Sequence, residues 1–184
     1  LRKIGLEKEI KLNIEVNHAT LSGHNFEHEI SYAIANDALG SIDINRGDTL
    51  LGWDTDQFPN NPADLIMAFY FIYSNGGFDK GGLNFDAKIR RQSINPEDLF
   101  YAHIGGMDTC AKTLLAVEKL INDNIIPKYI IDRYQKWDEE LGKSIHSKNI
   151  DLNKLHQIVI ENKLNPKAKS GQQEMLENLL NKYL

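Results

Sequence analysis

Polar and apolar residues alternate from Lys11 to Val16 (Lys-Leu-Asn-Ile-Glu-Val), the two-residue period of a short strand. A segment containing Gly and His follows, and Phe26 to about Asn36 reads as a helix. Gly40 to Asn45 alternates again and predicts a second strand, opening into a long loop from Arg46 to Pro62 that is rich in Gly, Asp, Asn and Pro. Ala63 to Tyr73 is apolar almost throughout, a buried helix ended at Asn75-Gly76-Gly77, and Gly82 to Ala87 reads as a third strand. Pro96-Glu97-Asp98 carries the proline and acids that favour a first helical turn. Leu99, Ile104, Met107, Leu114, Val117 and Ile121 then recur near helical spacing as far as Asp123. Beyond Pro127 three helical segments are expected, at 128–141, 151–163 and 171–183, with no strand between them.

Strand–helix alternation three times over is the pattern of parallel βαβ units, which makes the fold class α/β. Three strands make a poor parallel sheet by themselves, because both faces and both edges need cover. A (β/α)₈ barrel typically takes ~250 residues, more than this chain has. The economical account is the last three βα units of such a TIM barrel over residues 1–123, followed by a helical tail over 124–184. Leu1 to Leu6 fits that account, reading as the end of a helix with a glycine stop at Gly5.

Composition changes the picture little. The 184 residues are 41% hydrophobic and 26% charged, ordinary for a globular domain. A net charge of −5 argues against a nucleic-acid or anionic-membrane binder, whose footprint would be basic. Cys110 is the single cysteine, so neither an internal disulfide nor a Cys-based zinc site can form. With no signal-peptide pattern and no apolar run of membrane-spanning length, a reducing cytoplasmic setting is expected.

The acids matter more by position than by number. Glu15, Asp43 and Asp86 stand at or just past the C-terminal ends of the three strands, the ends that face the active-site mouth of a barrel. The long loop adds Asp54 and Asp56, and His18 follows Glu15 by three residues. Taken singly, each acid reads as a solvated surface group. Taken together, carboxylates converging on one mouth would repel unless a cation neutralised them. Five carboxylates and one imidazole form an oxygen-rich set suited to Mg²⁺ or Mn²⁺, with Co²⁺ also accommodated, and exceed what one octahedral ion needs. Two ions sharing a carboxylate follow from that count. Lys88, two residues past Asp86, belongs near the same mouth.

Other features carry less. His24 and His28 are four apart, but Asn25 replaces the glutamate of a His-Glu-x-x-His motif, and the pair reads as structural or supporting. The pairs Gly76-Gly77, Gly81-Gly82 and Gly105-Gly106 spell neither a dinucleotide fingerprint nor a P-loop. Arg90 and Arg91 read as loop residues, and Cys110 as packing.

Four segments carry a resemblance to a known family: Lys11 to Thr20 (KLNIEVNHAT), Gly23 to Glu29 (GHNFEHE), Gly52 to Phe58 (GWDTDQF) and Gly81 to Lys88 (GGLNFDAK). They resemble the longer-chain class of the xylose isomerase family, in its C-terminal portion, over essentially the whole chain. The resemblance implies an enzyme that interconverts D-xylose and D-xylulose, and D-glucose and D-fructose more weakly, by ring opening and a two-metal-assisted 1,2-hydride shift. It implies that Glu15 bridges two divalent cations, that Asp43 and Asp86 hold the structural one, and that His18, Asp54 and Asp56 hold the second. Asp56 and Lys88 are thereby placed at the catalytic steps, Lys88 in a supporting electrostatic role. It further implies an aldose substrate, a homotetramer whose subunits are embraced by the helical tails, and further active-site groups N-terminal to Leu1. On this reading the chain is inactive without that missing N-terminal barrel segment. Two alternatives stand beside it: a related barrel isomerase or epimerase for another sugar, and a catalytically dead piece that only binds metal or assembles.

Overall fold

Leu12–Glu15 forms strand β1 and Leu39–Asp43 forms β2, each shorter than the alternation alone suggests. Between them lie α1 (Val16–Leu21) and α2 (Phe26–Ala35). A hairpin follows, β3 (Arg46–Asp48) with β4 (Trp53–Gln57), and then α3 (Ile66–Ser74), β5 (Leu83–Asn84) and the long helix α4 (Pro96–Asn122). Four helices complete the chain: α5 (Ile125–Tyr134), α6 (Glu140–His146), α7 (Leu152–Glu161) and α8 (Gln173–Asn181). The computed structural model describes residues 1–48 and 50–184, with the backbone but not the side chain of Trp53.

β1, β2 and β5 make a parallel sheet in that spatial order, as the alternation predicts. Its register puts Ile14 beside Ile42 and Glu15 beside Asp43, while Asp43 is also level with Asn84. Gly40 is the extra residue in a bulge, since Leu12 pairs with Leu39 and Asn13 with Ser41. Backbones crowd here. A Cβ at Gly81 would lie 1.6 Å from the Gly40 carbonyl oxygen, so only glycine fits.

The core lies where the helices cover the sheet. Ile30 of α2, Ile42 of β2, Ile44 just past it, Phe69 and Ile72 of α3, and Val117 and Leu120 of α4 are almost wholly buried. α2 packs against α3 and α3 against α4. That position between two helices explains the continuously apolar α3, where Ile66, Ala68, Phe69, Tyr70 and Ile72 are all buried. The first half of α4 is different. Phe100, Tyr101, Ile104 and Met107 are each more than half exposed.

Two expectations need correction. Residues 46–57 fall within the expected loop, yet Arg46 pairs with Gln57 and Asp48 with Trp53 in an antiparallel hairpin. Gly52, at φ 68, occupies the left-handed conformation its turn requires; Thr49 lies outside the described residues. The expected helix at 128–141 is two helices, because the chain tightens into a 3₁₀ turn at Gln135–Asp138. Gly142 packs against that turn so closely that a Cβ would meet the Lys136 carbonyl oxygen at 2.3 Å.

The chain divides into two units, Leu1–Asn122 with Leu179–Leu184, and Asp123–Asn178. Within the second, Tyr129 Oη donates to the Gly171 carbonyl at 2.9 Å, Arg133 to that of Ser170 at 2.8 Å, and Lys169 to that of Asp132 at 2.9 Å. The Asp151 carboxylate caps α7 by accepting from the Lys154 N–H at 2.7 Å. Among the described residues, no helix is long and apolar enough to cross a membrane.

Candidate metal centre

Glu15 ends β1 and serves as the residue before the first turn of α1, so its side chain emerges where strand becomes helix. One turn on, His18 faces back. Its Nδ1 is 3.1 Å from Glu15 Oε2, and its Nε2 is 3.1 Å from Asp54 Oδ2 on β4. Asp43 is level with Glu15 across the sheet, and Asp86 lies two residues past β5. The hairpin missing from the sequence reading packs on α1, and so delivers Asp54 to this place.

Two groups of ligand-type atoms result, each with its members within 4.8 Å of one another: Glu15, His18 and Asp54, and Glu15, Asp43 and Asp86. Glu15 is common to both. Its carboxylate is only 8% exposed. Burial holds its pKa above the ordinary glutamate value; hydrogen bonding from Asn45 and the His18 imidazole oppose that rise, and the charges of Asp54 and Asp86 add to it.

Asp56 belongs to neither group, though it lies beside Asp54. Its carboxylate accepts from Lys88 Nζ at 2.6 Å, and its carbonyl oxygen accepts from the Lys88 N–H at 2.8 Å. The neighbouring Asp54 and Asp56 carboxylates act on each other, pushing Asp54 up and Asp56 down from ordinary aspartate values; Lys88 reinforces the fall at Asp56. The ion pair in turn raises the Lys88 pKa. Asp56 and Asp86 both adopt left-handed backbone, φ 45 and φ 40, an uncommon conformation for a residue with a Cβ that recurs at functional sites.

Amides absent from the sequence reading organise the acids. Asn45, 1% exposed, donates from Nδ2 to Glu15 Oε1 at 2.6 Å and to the Asp86 carbonyl at 3.1 Å. Its Oδ1 accepts from the Asn17 N–H at 3.1 Å. Asn17, wholly buried, donates from its side chain to Asp54, and Asn13 donates to Asp43. Among the described residues, Asn17 Oδ1 is buried with no hydrogen-bond partner. It also fills the space beside Gly47, where a Cβ would fall 1.9 Å away. One signal was available for Asn45: Asp43 and Asn45 are two residues apart, which puts them on the same side of an extended chain.

The family model named XylA2 C-terminal domain matches residues 130–184. Proteins named xylose isomerase from Histophilus somni (strain 2336), Escherichia coli O139:H28 and Photorhabdus laumondii are 55%, 54% and 52% identical to all 184 residues. The chain matches a C-terminal portion of a xylose isomerase. It spans 42% of the length of these relatives.

The residues present suit divalent cations. Four carboxylates and one imidazole in two groups are hard, oxygen-rich donors, and crowding three further acids around the nearly buried Glu15 calls for positive charge. Glu15, Asp43 and Asp86 would hold one ion, and Glu15, His18 and Asp54 another.

Proposed function

We propose that this chain supplies the cation-holding side of an aldose–ketose isomerase site of the xylose isomerase kind, and works only with further barrel strands outside these 184 residues. The observation that carries the reading is the pair of ligand groups sharing Glu15. The sheet supports it. Among the described residues β1 and β5 are each paired on one side only, and the first half of α4 leaves large apolar residues exposed. Both features fit the last three units of a (β/α)₈ barrel, whose active site lies at the C-terminal strand ends. Residues 124–184 are then a helical tail for subunit contacts in a homotetramer of a cytoplasmic enzyme.

In this reading two divalent cations, Mg²⁺, Mn²⁺ or Co²⁺, supply Lewis acidity to the oxygens of an open-chain aldose such as D-xylose. The chain's own groups hold and tune that site. Glu15, placed by Asn45, and Asp43, placed by Asn13, present charge at one level of the sheet. His18 is oriented between two carboxylates. Lys88 keeps Asp56 ionised beside Asp54, where it can accept a proton from a substrate hydroxyl or a water. The overall change transfers hydrogen from C2 to C1 and a proton from O2 to O1.

Titration of the full chain with Mn²⁺ is expected to count two ions. Glu15→Gln should weaken both, and Asp54→Asn should remove one while leaving the other. Two undiminished ions in Glu15→Gln would refute the ligand assignment. Xylulose formation from D-xylose should need an added polypeptide carrying the remaining strands; turnover by the 184 residues alone would overturn that requirement.

A further inference from the structure

The first turn of α2 carries a second cluster of metal-ligand type, chemically unlike the first. Asn25 caps this helix by accepting the His28 N–H at 3.0 Å, which fixes His28 in the opening turn. His24 stands just before the cap, so the two imidazoles meet with ring centroids 5.1 Å apart. By sequence alone the pair reads as structural or supporting. The structure adds a third donor: Glu29 Oε1 contacts His24 Nδ1 and lies 3.7 Å from His28 Nδ1. Ligand-type atoms of all three fall within 4.8 Å of one another.

We infer that His24, His28 and Glu29 form a binding site for a borderline divalent transition metal, Zn²⁺, Ni²⁺ or Cu²⁺, separate from the carboxylate centre. Metal–imidazole bonds of about 2.0–2.1 Å at a tetrahedral angle put neighbouring donors roughly 3.3 Å apart. The donor atoms here, all within 4.8 Å of one another and with Glu29 Oε1 3.7 Å from His28 Nδ1, already lie near that spacing. The imidazoles are half or more exposed, at 51% and 59%, so an ion and its completing water molecules have access. Tyr32 lies alongside His28, its ring centroid 6.5 Å away and its plane 16° from parallel.

Donor type separates the two centres. Two neutral nitrogens and one carboxylate follow the Irving–Williams order, favouring Cu²⁺, Ni²⁺ and Zn²⁺ far above Mg²⁺. The carboxylate centre offers a single imidazole, His18, and suits hard cations. The positive pole of α2 works against a cation here, and the Glu29 charge offsets it.

The test is electron paramagnetic resonance of Cu²⁺ added in equimolar amount to the metal-stripped full chain, with Mg²⁺ in large excess. One Cu²⁺ should bind with hyperfine structure from two nitrogens, unchanged by Glu15→Gln or His18→Gln. His24→Gln and His28→Gln should each lower Cu²⁺ affinity at least tenfold and reduce the nitrogen count. Both positions are exposed, and circular dichroism verifies that each variant is folded. A two-nitrogen signal that survives a double variant carrying both His24→Gln and His28→Gln, or a one-nitrogen signal lost in His18→Gln, would overturn the site. Because the Mn²⁺ titration and the Cu²⁺ resonance are separate measurements, failure here leaves the carboxylate assignment standing, and the reverse holds equally.

Discussion

Replacing Asn45 with alanine should unfasten the carboxylate centre without touching any group that would hold an ion. The side chain makes three hydrogen bonds: to Glu15 at 2.6 Å, to the Asp86 carbonyl at 3.1 Å, and from the Asn17 N–H at 3.1 Å. A hydrogen bond to a charged partner contributes about 1.5–3 kcal/mol, and a neutral one about 1 kcal/mol. Their loss therefore sums to roughly 3–5 kcal/mol. Water entering the vacated space recovers part of this, which makes ~3 kcal/mol the working expectation. In a chain of this length each kcal/mol moves Tm by about 2–4 °C, so thermal unfolding of the metal-free chain should begin about 6–12 °C earlier. Asn45→Asp is the sharper probe. It keeps an acceptor for the Asn17 N–H but sets a negative charge against Glu15, so it should destabilise the metal-free chain more than alanine does. Saturating Mn²⁺ should recover more of the loss in Asn45→Asp than in Asn45→Ala, since the added carboxylate favours bound cations. An Asn45→Ala variant within about 1 kcal/mol of the parent, with unaltered Mn²⁺ affinity, would refute the claim that this amide positions the site.

Other parts of the chain yield further predictions. Gly81→Ala drives a methyl into the Gly40 carbonyl, at 1.6 Å before relaxation, and should cost about 1–3 kcal/mol in urea unfolding; an unchanged midpoint would contradict the crowding. Burial pushes the Cys110 thiol up to about 11 from an ordinary 9. Its contribution to stability is therefore full below pH 9 and lost as pH rises through about 11, a loss that Cys110→Ala should remove from the alkaline unfolding profile. At neutral pH the folded thiol should resist alkylation, and rapid labelling of native chain would disprove the burial. Asp151→Ala deletes the cap on α7 and should cost about 1 kcal/mol of local stability, seen as faster amide exchange confined to that helix.

The parallel sheet was legible because Leu12 to Glu15 and Gly40 to Asp43 alternate, and α3 because nothing polar interrupts it until Ser74. The hairpin at 46–57 was hidden by its own composition, since Asp and Gly favour turns and its strands are only three and five residues long. Charge made Glu15, Asp43, Asp54 and Asp86 visible as candidates. Asn13, Asn17 and Asn45 escaped, because a neutral amide announces nothing until its hydrogen-bond partners are known. Glu29 escaped for a related reason. It follows His28 directly, and adjacent helical residues do not normally share a face, yet His24 precedes the helix and turns back to meet it.

The register that sets Glu15 beside Asp43 makes the centre digital, not graded. Side chains alternate along β1, so a slip of one residue against β2 would replace Glu15 with Ile14 or Val16 at the level of Asp43 and send the carboxylate to the opposite face. A mispaired molecule would lose the shared carboxylate outright; it would not hold it slightly out of place. Ile14 beside Ile42 is thus an alignment check, and an apolar pair in the core decides whether ions can be held at the rim. Weakening that pair should divide a preparation into competent and incompetent molecules. The fraction of chains that bind would fall, while those that still bind would do so with undiminished affinity.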